Sequence, residues 1–310
     1  MDIANVRWPD SLWAAVTPPG PHLPGLIGTT EADVVVIGGG FTGLSTALHL
    51  REAGVDVAIV EAMEPGWGAS GRNNGQVIPT LSRPDPEDII AKHGAAGERF
   101  VALLRDSASV LFDIAWRYQI QAEQEQTGWV QPVHSPGRLK IAERRVRQWL
   151  KFGASVELLS RDETRRMLGS EAWFGGFWNR SGGHINPLAL SRGLTRVVLE
   201  RGGRIYARTP AISVERWNDR WMVRTEKGEI SGRVLIVATN AYTGEFSKSL
   251  MPAMVREVVP VCCPGKWRRS RCPKPRGRPS FPAGRPCPIL TANFTLLATM
   301  RGTVLSPAEP

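Results

Sequence analysis

The sequence predicts an α/β fold with a parallel sheet at its centre, and three observations predict it. Residues 33–61 read as strand, glycine turn, helix and strand. A second strand–helix–strand passage starts near His184. The strand at 33–37 is an apolar run without alternation, the mark of a strand buried on both faces. Taken in order, residues 1–30 are rich in Pro and Trp (Trp8, Pro9, Trp13, Pro18, Pro19, Pro21, Pro24) and read as an extended arm laid over a domain. Asp33 to Ile37 is the first strand, ending in Gly38-Gly39-Gly40-Phe41-Thr42-Gly43. Leu44, Ala47, Leu48 and Leu50 then recur at helical spacing as far as Ala53-Gly54, a helix stop. Val57 to Val60 is the second strand and ends at Glu61. Residues 66–75 are too glycine-rich for regular structure.

Further along, the spacing predicts a helical region over 86–120, strands over 128–142, and a short basic helix from Arg144 to Phe152. Ser160-Arg161-Asp162-Glu163 has the form of a capping box opening another helix. Leu188 to Arg201 reads as helix, and Arg204–Tyr206, Ile212–Glu215, Trp221–Thr225 and Arg233–Ala238 as strands. No internal repeat is evident.

The 310 residues, 42% hydrophobic and 22% charged, suffice for one large or two modest domains. No apolar run approaches the roughly 20 residues of a membrane span, and no basic region precedes an apolar stretch at the N-terminus. A cytoplasmic protein is expected. The net charge of +10 invites a nucleic-acid reading, but it is localised. Residues 262–310 carry nine Lys and Arg against one acid, all four cysteines and nine of the 24 prolines, whereas the first 261 residues are nearly neutral and cysteine-free. Arg/Pro runs without interleaved aromatics make a poor nucleic-acid surface, so no nucleic-acid partner is expected. Cys262, Cys263, Cys272 and Cys287 lack zinc-ligand spacing.

The first strand–helix–strand unit carries the chemistry. Gly38, Gly40 and Gly43 fill G-x-G-x-x-G between a strand and a helix, and Glu61 closes the next strand 18 residues after Gly43. Gly38 permits the tight turn, Gly40 lets a pyrophosphate approach the backbone, and Gly43 lets the helix pack on the strand. The helix N-terminus offers unpaired N–H groups and the positive end of its dipole. Glu61 can accept from a ribose 2′-hydroxyl. A glycine turn that binds nothing is the plainer alternative; the strand before it, the helix after it and the placed acid argue against that. The fingerprint alone does not separate FAD from NAD.

The segment after Glu61 does. Asp33-Val-Val-Val-Ile-Gly-Gly-Gly-Phe-Thr-Gly-Leu-Ser-Thr-Ala followed by Gly68-Ala-Ser-Gly-Arg-Asn resembles the D-amino-acid-oxidase-type FAD-dependent oxidoreductases, most of all their gamma-glutamylputrescine oxidase-like branch. Ser11-Leu-Trp-Ala-Ala15, Gly182-Gly-His-Ile-Asn-Pro-Leu188, Arg208-Thr-Pro-Ala-Ile-Ser-Val214 and Ala238-Thr-Asn-Ala-Tyr-Thr-Gly244 extend the resemblance over roughly residues 8–261. One departure is Asn74, where this branch has a second glycine; the flavin-side loop is expected to differ there.

The resemblance implies a discontinuous Rossmann-like FAD-binding domain and an incomplete α+β substrate domain. Its parts would be an arm at 1–30, FAD-binding segments at 31–80 and 181–246, a substrate or cap region at 81–180, the start of a second substrate segment at 247–261, and a basic tail without fixed structure at 262–310. It places Gly38, Gly40, Phe41, Thr42, Gly43 and Glu61 on the ADP half of FAD. Ala69, Ser70, Arg72, Asn73 and Gln76 would lie along the pyrophosphate-to-flavin region, Val214 would face the adenine, and Ala238, Thr239 and Asn240 would wall the cofactor from the other side. Arg72 as a plain surface charge, and Ser70 and Asn73 as turn stabilisers, stay open. His184 reads as a loop residue rather than a base.

The implied chemistry is oxidation of a C–N bond in an amine or amino acid, with hydride passing to flavin and then electrons to oxygen or a carrier. Residues 262–310 do not share the resemblance. Their Arg-, Pro- and Cys-rich text is what a GC-rich gene yields in a shifted frame, and reading from the last base of each codon permits Ser-Trp-Gln-Val-Ala-Thr-Glu-Pro-Leu opposite residues 263–271. A frame change near residues 256–263 is therefore expected, leaving the substrate-domain sheet with an open edge. Three alternatives follow: an FAD-binding remnant without turnover, a D-amino-acid dehydrogenase, or, against the Gly68–Gly75 loop, a NAD-dependent enzyme.

Overall fold

The computed structural model describes residues 8–81 and 83–243. The expectations for 244–310, including the basic tail and the proposed second substrate segment, lie outside them. Among the described residues no helix is long and apolar enough to cross a membrane.

The centre is a six-stranded sheet. Its strands are β1 (Gly28–Ile37), β2 (Val57–Val60), β8 (Arg204–Tyr206), β9 (Ser213–Trp217), β10 (Arg220–Arg224) and β11 (Gly228–Val237), in the order β8-β2-β1-β11-β10-β9. β1 runs parallel to both β2 and β11, and β2 parallel to β8. β10 pairs antiparallel onto Glu229–Gly232 of β11, and β9 pairs antiparallel onto β10. Among the described residues the far half of β11, from Arg233 on, has β1 on one side and no strand on the other.

Burial explains why β1 has no polar face. Val34, Val36, Val57 and Ile59 face one apolar layer, formed with α2 (Phe41–Glu52), α3 (Pro86–Arg117) and α6 (Pro187–Glu200). Val35, Ile37, Ala58 and Val60 face a second layer, with Val214, Val223 and Ile230 from β9–β11. A strand sandwiched this way gains from apolar side chains at every position. Gly54 ends α2 with φ +77°, as its sequence position predicts.

A second, smaller sheet holds β4 (Trp129–Pro132), β5 (Val156–Leu159) and β6 (Gly176–Asn179), antiparallel in the order β4-β6-β5. Among the described residues β4 and β5 are its outer strands. It packs with α3 and with α4 (Leu139–Lys151) around Trp149, Phe177, Val146 and Val101. A two-stranded ladder of β3 (Gln76–Val77) and β7 (Gly183–His184) completes the strands described. α5 (Arg161–Leu168) opens with the expected reciprocal cap: Glu163 N donates to Ser160 Oγ at 3.3 Å and Ser160 N to Glu163 Oε2 at 2.8 Å.

Three expectations need correction. The strand over 128–142 is confined to Trp129–Pro132; Pro136 opens a short turn, and α4 starts at Leu139 because Ala142, Val146 and Trp149 bury at helical spacing. The arm is not extended throughout, since Leu12–Val16 forms a one-turn helix, α1, capped when Ala14 N donates to Ser11 Oγ at 3.2 Å. The loop at 66–75 holds a 3₁₀ turn at Ala69–Gly71. β5 and β6, four residues each, were not singled out by the sequence pattern.

One ion cluster joins the second unit. Asp85, 2% exposed and at the start of α3, accepts from Arg145 Nε at 2.6 Å and from Arg144 Nη2 at 3.0 Å, both on α4. The carboxamide oxygen of Gln148 in α4 accepts from Glu87 N at 3.0 Å, tying the same helix ends together.

Candidate functional site

The site is built where β1 ends and α2 begins. Gly38 has φ +109°, and a Cβ there would stand 2.7 Å from the carbonyl oxygen of Ala238. A side chain is thus excluded both by backbone conformation and by the strand end beside it. At Gly43 an added Cβ would stand 1.9 Å from the Gly38 carbonyl oxygen, so α2 lies against β1 at a distance only glycine allows. At Gly40 the nearest atom is Ser70 Oγ, 2.8 Å from where an added Cβ would stand. The three glycines therefore do different things: Gly38 and Gly43 serve close backbone packing, while Gly40 leaves room at the mouth of the turn.

Phe41 is the first residue of α2, and its N–H donates to Ser70 Oγ at 3.0 Å. This amide has no acceptor within the helix, and the loop residue supplies one. Thr42 and Gly43 follow in the first turn, where amides lack intrahelical partners. Gly66 N donates to the Gly39 carbonyl at 3.0 Å, so the 66–75 loop is fastened to the glycine turn on both sides of Gly40.

Glu61 ends β2 beside the same turn. Its Oε2 accepts from Gly39 N at 2.5 Å and its Oε1 from Met63 N at 2.8 Å. Burial pushes the carboxyl above its ordinary value of 4.5, against the backbone amides of Gly39, Met63 and Ala62 that hold it down, and neighbouring Glu64 adds to the rise. A raised folded-state value means the native chain holds this proton more tightly than the unfolded chain. Stability from this group is therefore greatest in acid and falls as pH rises from about 4.5 upward. Glu61→Gln is expected to flatten that fall, read as the thermal midpoint of the FAD-free chain at pH 5 and at pH 8. A variant with the same slope as the parent would refute the assignment.

Several of the remaining residues gather about this turn. Ala238, Thr239 and Asn240 follow β11 and abut Gly38 through the Ala238 backbone. Arg72 donates from Nε to Gly68 O at 3.1 Å and from Nη2 to Tyr242 Oη at 2.5 Å, and lies 4.5 Å over the Trp67 ring. Arg72 is no free surface charge: it ties the 66–75 loop to the segment after β11. Asn73 Nδ2 donates to Ser70 O at 2.8 Å and its Oδ1 accepts from Gly75 N at 2.9 Å, so its side chain is committed to the turn. Ala69 opens the 3₁₀ turn that carries Ser70. Asn74 has no positive φ, so asparagine in place of glycine carries no backbone strain there. Its Oδ1 accepts from Gln76 N at 3.2 Å.

Gln76 sits on the β3–β7 ladder opposite His184 and accepts from Trp129 Nε1 at 3.3 Å. His184 is on a short strand, exposed, and 3.8 Å from the Glu125 carboxylate. The Val214 side chain is buried in the apolar layer with Val35, Ile37, Val60 and Val223, on the strand that pairs with β10. Sequence reasoning missed Trp13, Trp67 and Tyr242 among the residues about the turn. Trp13 and Tyr242 lie inside the motifs that carry the family resemblance, but an indole or phenol that packs a loop has no spacing rule to expose it.

The arrangement fits a dinucleotide. A cradle with no side chain at Gly40, amides at the start of α2 and a buried carboxylate at the end of β2 match a pyrophosphate and a ribose in charge and in donor type.

Comparison with known proteins bears on which dinucleotide. The family described as DAO, FAD dependent oxidoreductase, matches residues 33–287, running past residue 261 into the basic segment that composition set apart. The chain is 34% identical over 249 residues to gamma-glutamylputrescine oxidoreductase of Escherichia coli, covering 78% of this chain and 58% of that protein. It is 29% identical over 242 residues to probable oxidoreductase OrdL of Haemophilus influenzae, covering 77% and 56%. Among solved structures, glycine oxidase from Geobacillus kaustophilus superposes with a TM-score of 0.61 at 20% identity, covering 70% of this chain and 57% of that one. The chain thus spans little more than half the length of these relatives.

Proposed function

The chain belongs to the DAO family of FAD-dependent oxidoreductases, and from that premise we propose that it holds FAD at the glycine turn and serves oxidation of a C–N bond in an amine or amino acid. Gamma-glutamylputrescine is the first substrate to test, because the E. coli relative carries that name at 34% identity. The observation that carries the reading is the approach of Gly43 to Gly38, which sets the start of α2 against the end of β1 with Glu61 alongside.

In this reading the first-turn amides of α2 hold the pyrophosphate, and Gly40 keeps side-chain atoms out of its way. Glu61 accepts from ribose hydroxyls, giving up the Gly39 and Met63 amides in part. Ser70 and Arg72 keep the 66–75 loop closed over the turn, and Ala238–Asn240 bound the opposite wall. When bound, FAD supplies the two-electron acceptor for converting an amine to an imine, which water hydrolyses, with oxygen or an electron carrier taking the electrons onward. A second reading is an FAD-binding chain without turnover.

The test is anaerobic addition of gamma-glutamylputrescine, and then other amines and amino acids, to the purified yellow chain. Bleaching of the flavin bands is expected. Bound flavin that no amine bleaches would establish the second reading, and a chain that takes up no FAD would overturn both.

A further inference from the structure

We infer that Trp13, in the N-terminal arm, is a positioning residue that clamps the 66–75 loop over the start of α2. The inference rests on the reading of that turn as the FAD site.

α1 spans five residues, none of them buried, and a helix that short has no stability of its own in water. Tertiary contacts hold it, and they converge on the cofactor loop and on α6. Trp13 Nε1 donates to the Asn73 carbonyl at 2.8 Å. Its ring lies against Gly75, where an added Cβ would meet Trp13 Cζ2 at 3.2 Å, and Gly75 needs its φ of +75° to bring the chain there. At the other end of α1, Thr17 and Asn186 are hydrogen-bonded to each other, Asn186 caps α6 by accepting from Ala189 N at 3.0 Å, and Arg192 of α6 donates to Thr17 O at 2.9 Å. The arm is thus anchored on a rigid helix and presses one indole onto a loop.

The loop passes the constraint on. Asn73, held through its carbonyl by Trp13, donates to Ser70 O, and Ser70 Oγ accepts from Phe41 N at the first position of α2. From Trp13 to the helix start there are three hydrogen bonds and two intervening residues. Loosening the first frees the loop to move Ser70 out of register with the α2 amides, the groups that would face the pyrophosphate.

Two variants of the full chain separate the donor from the plate. Trp13→Phe keeps a ring against Gly75 and removes the N–H; Trp13→Ala removes both. FAD titration is expected to show about a fivefold weaker dissociation constant for Trp13→Phe and about thirtyfold for Trp13→Ala. The thermal midpoint of the FAD-free Trp13→Phe chain is expected to stay within about 2 °C of the parent, which a merely stabilising role would not allow. In the FAD-free chain, amide exchange at Gly71 and Gly75 is expected to speed up about fivefold in Trp13→Phe, with β4–β6 amides unchanged. Unchanged exchange at those glycines would overturn the clamp whether or not FAD binds. Faster exchange with unchanged FAD affinity would overturn the link to the cofactor. A parent chain that takes up no FAD would fail the functional reading alone, leaving exchange to decide the clamp.

Discussion

Gly43→Ala is expected to destabilise the chain by about 3 kcal/mol and to weaken FAD binding at least 100-fold, the upper part of the range for forcing atoms into a packed site. The new methyl would stand 1.9 Å from the Gly38 carbonyl oxygen and 3.3 Å from Val36 Cγ1. Carbon atoms in proteins pack at roughly 3.5–4 Å. Neither of the two backbone segments can turn aside as a side chain can, so α2 must lift off β1. That lift moves the whole first turn of α2, which is why stability and cofactor binding fall together. Gly40→Ala separates the two. Its nearest neighbour is the Ser70 hydroxyl, which can rotate at the cost of its bond to Phe41 N, so the FAD-free chain is expected to lose only about 1 kcal/mol while FAD binding still falls. Gly137→Ala, with nothing within 4 Å of the added methyl and no positive φ, is the control and is expected to be neutral. Urea unfolding with and without FAD reads all three. Equal losses of stability for Gly40→Ala and Gly43→Ala would refute the division of labour.

Asp85→Asn is expected to cost about 3 kcal/mol, with no direct effect on the glycine turn. Asp85 is 2% exposed and serves two guanidinium groups, and its loss matters chiefly through Arg145, whose side chain is 10% exposed. Removing one partner of a buried pair leaves the other charge desolvated without its counter-ion, and that penalty is larger than the worth of the pair itself. Arg144 is more than half exposed and can turn to water, so it adds little. The signature is therefore non-additivity. Arg145→Met in the Asp85→Asn background is expected to recover part of the loss, whereas Arg144→Met is not. Urea midpoints of the double-mutant cycle decide this; strict additivity of Asp85 with Arg145 would show that the buried pair carries no coupling. Added salt is expected to change little, because the pair is out of reach of screening ions.

The two changes test different layers of the molecule, and the layers were not equally legible. α2, β2, α6 and β8 fell close to where the sequence puts them. β1, in contrast, starts at Gly28, five residues ahead of the expected Asp33 and inside the stretch read as an arm, because Gly28–Ala32 pair along β11 without an apolar run to mark them. β5 and β6 left no such trace: they are four residues long, and Phe177 meets Leu158, and Val156 meets Asn179, only across the sheet. α4 was misplaced at its start because the residues from 133 to 142 alternate weakly before the helical period of Ala142, Val146 and Trp149 takes over.

The site divides the same way. By itself the sequence determined the glycine turn, the acid at the end of β2 and the family, since these rest on residues adjacent in the chain whose backbone demands admit few substitutes. Only the tertiary structure decided what surrounds them. Arg72 turned out to be held by Tyr242, 170 residues away, Asn73 by Trp13 across 60, and Phe41 by Ser70 across 29. It also packed the Val214 side chain into the apolar layer with Ile37 and Val60. The physical reason is that a hydrogen bond between distant residues leaves no period and no spacing in the chain. It exists only after β1, β2 and β11 have been laid side by side and their loops brought to one edge.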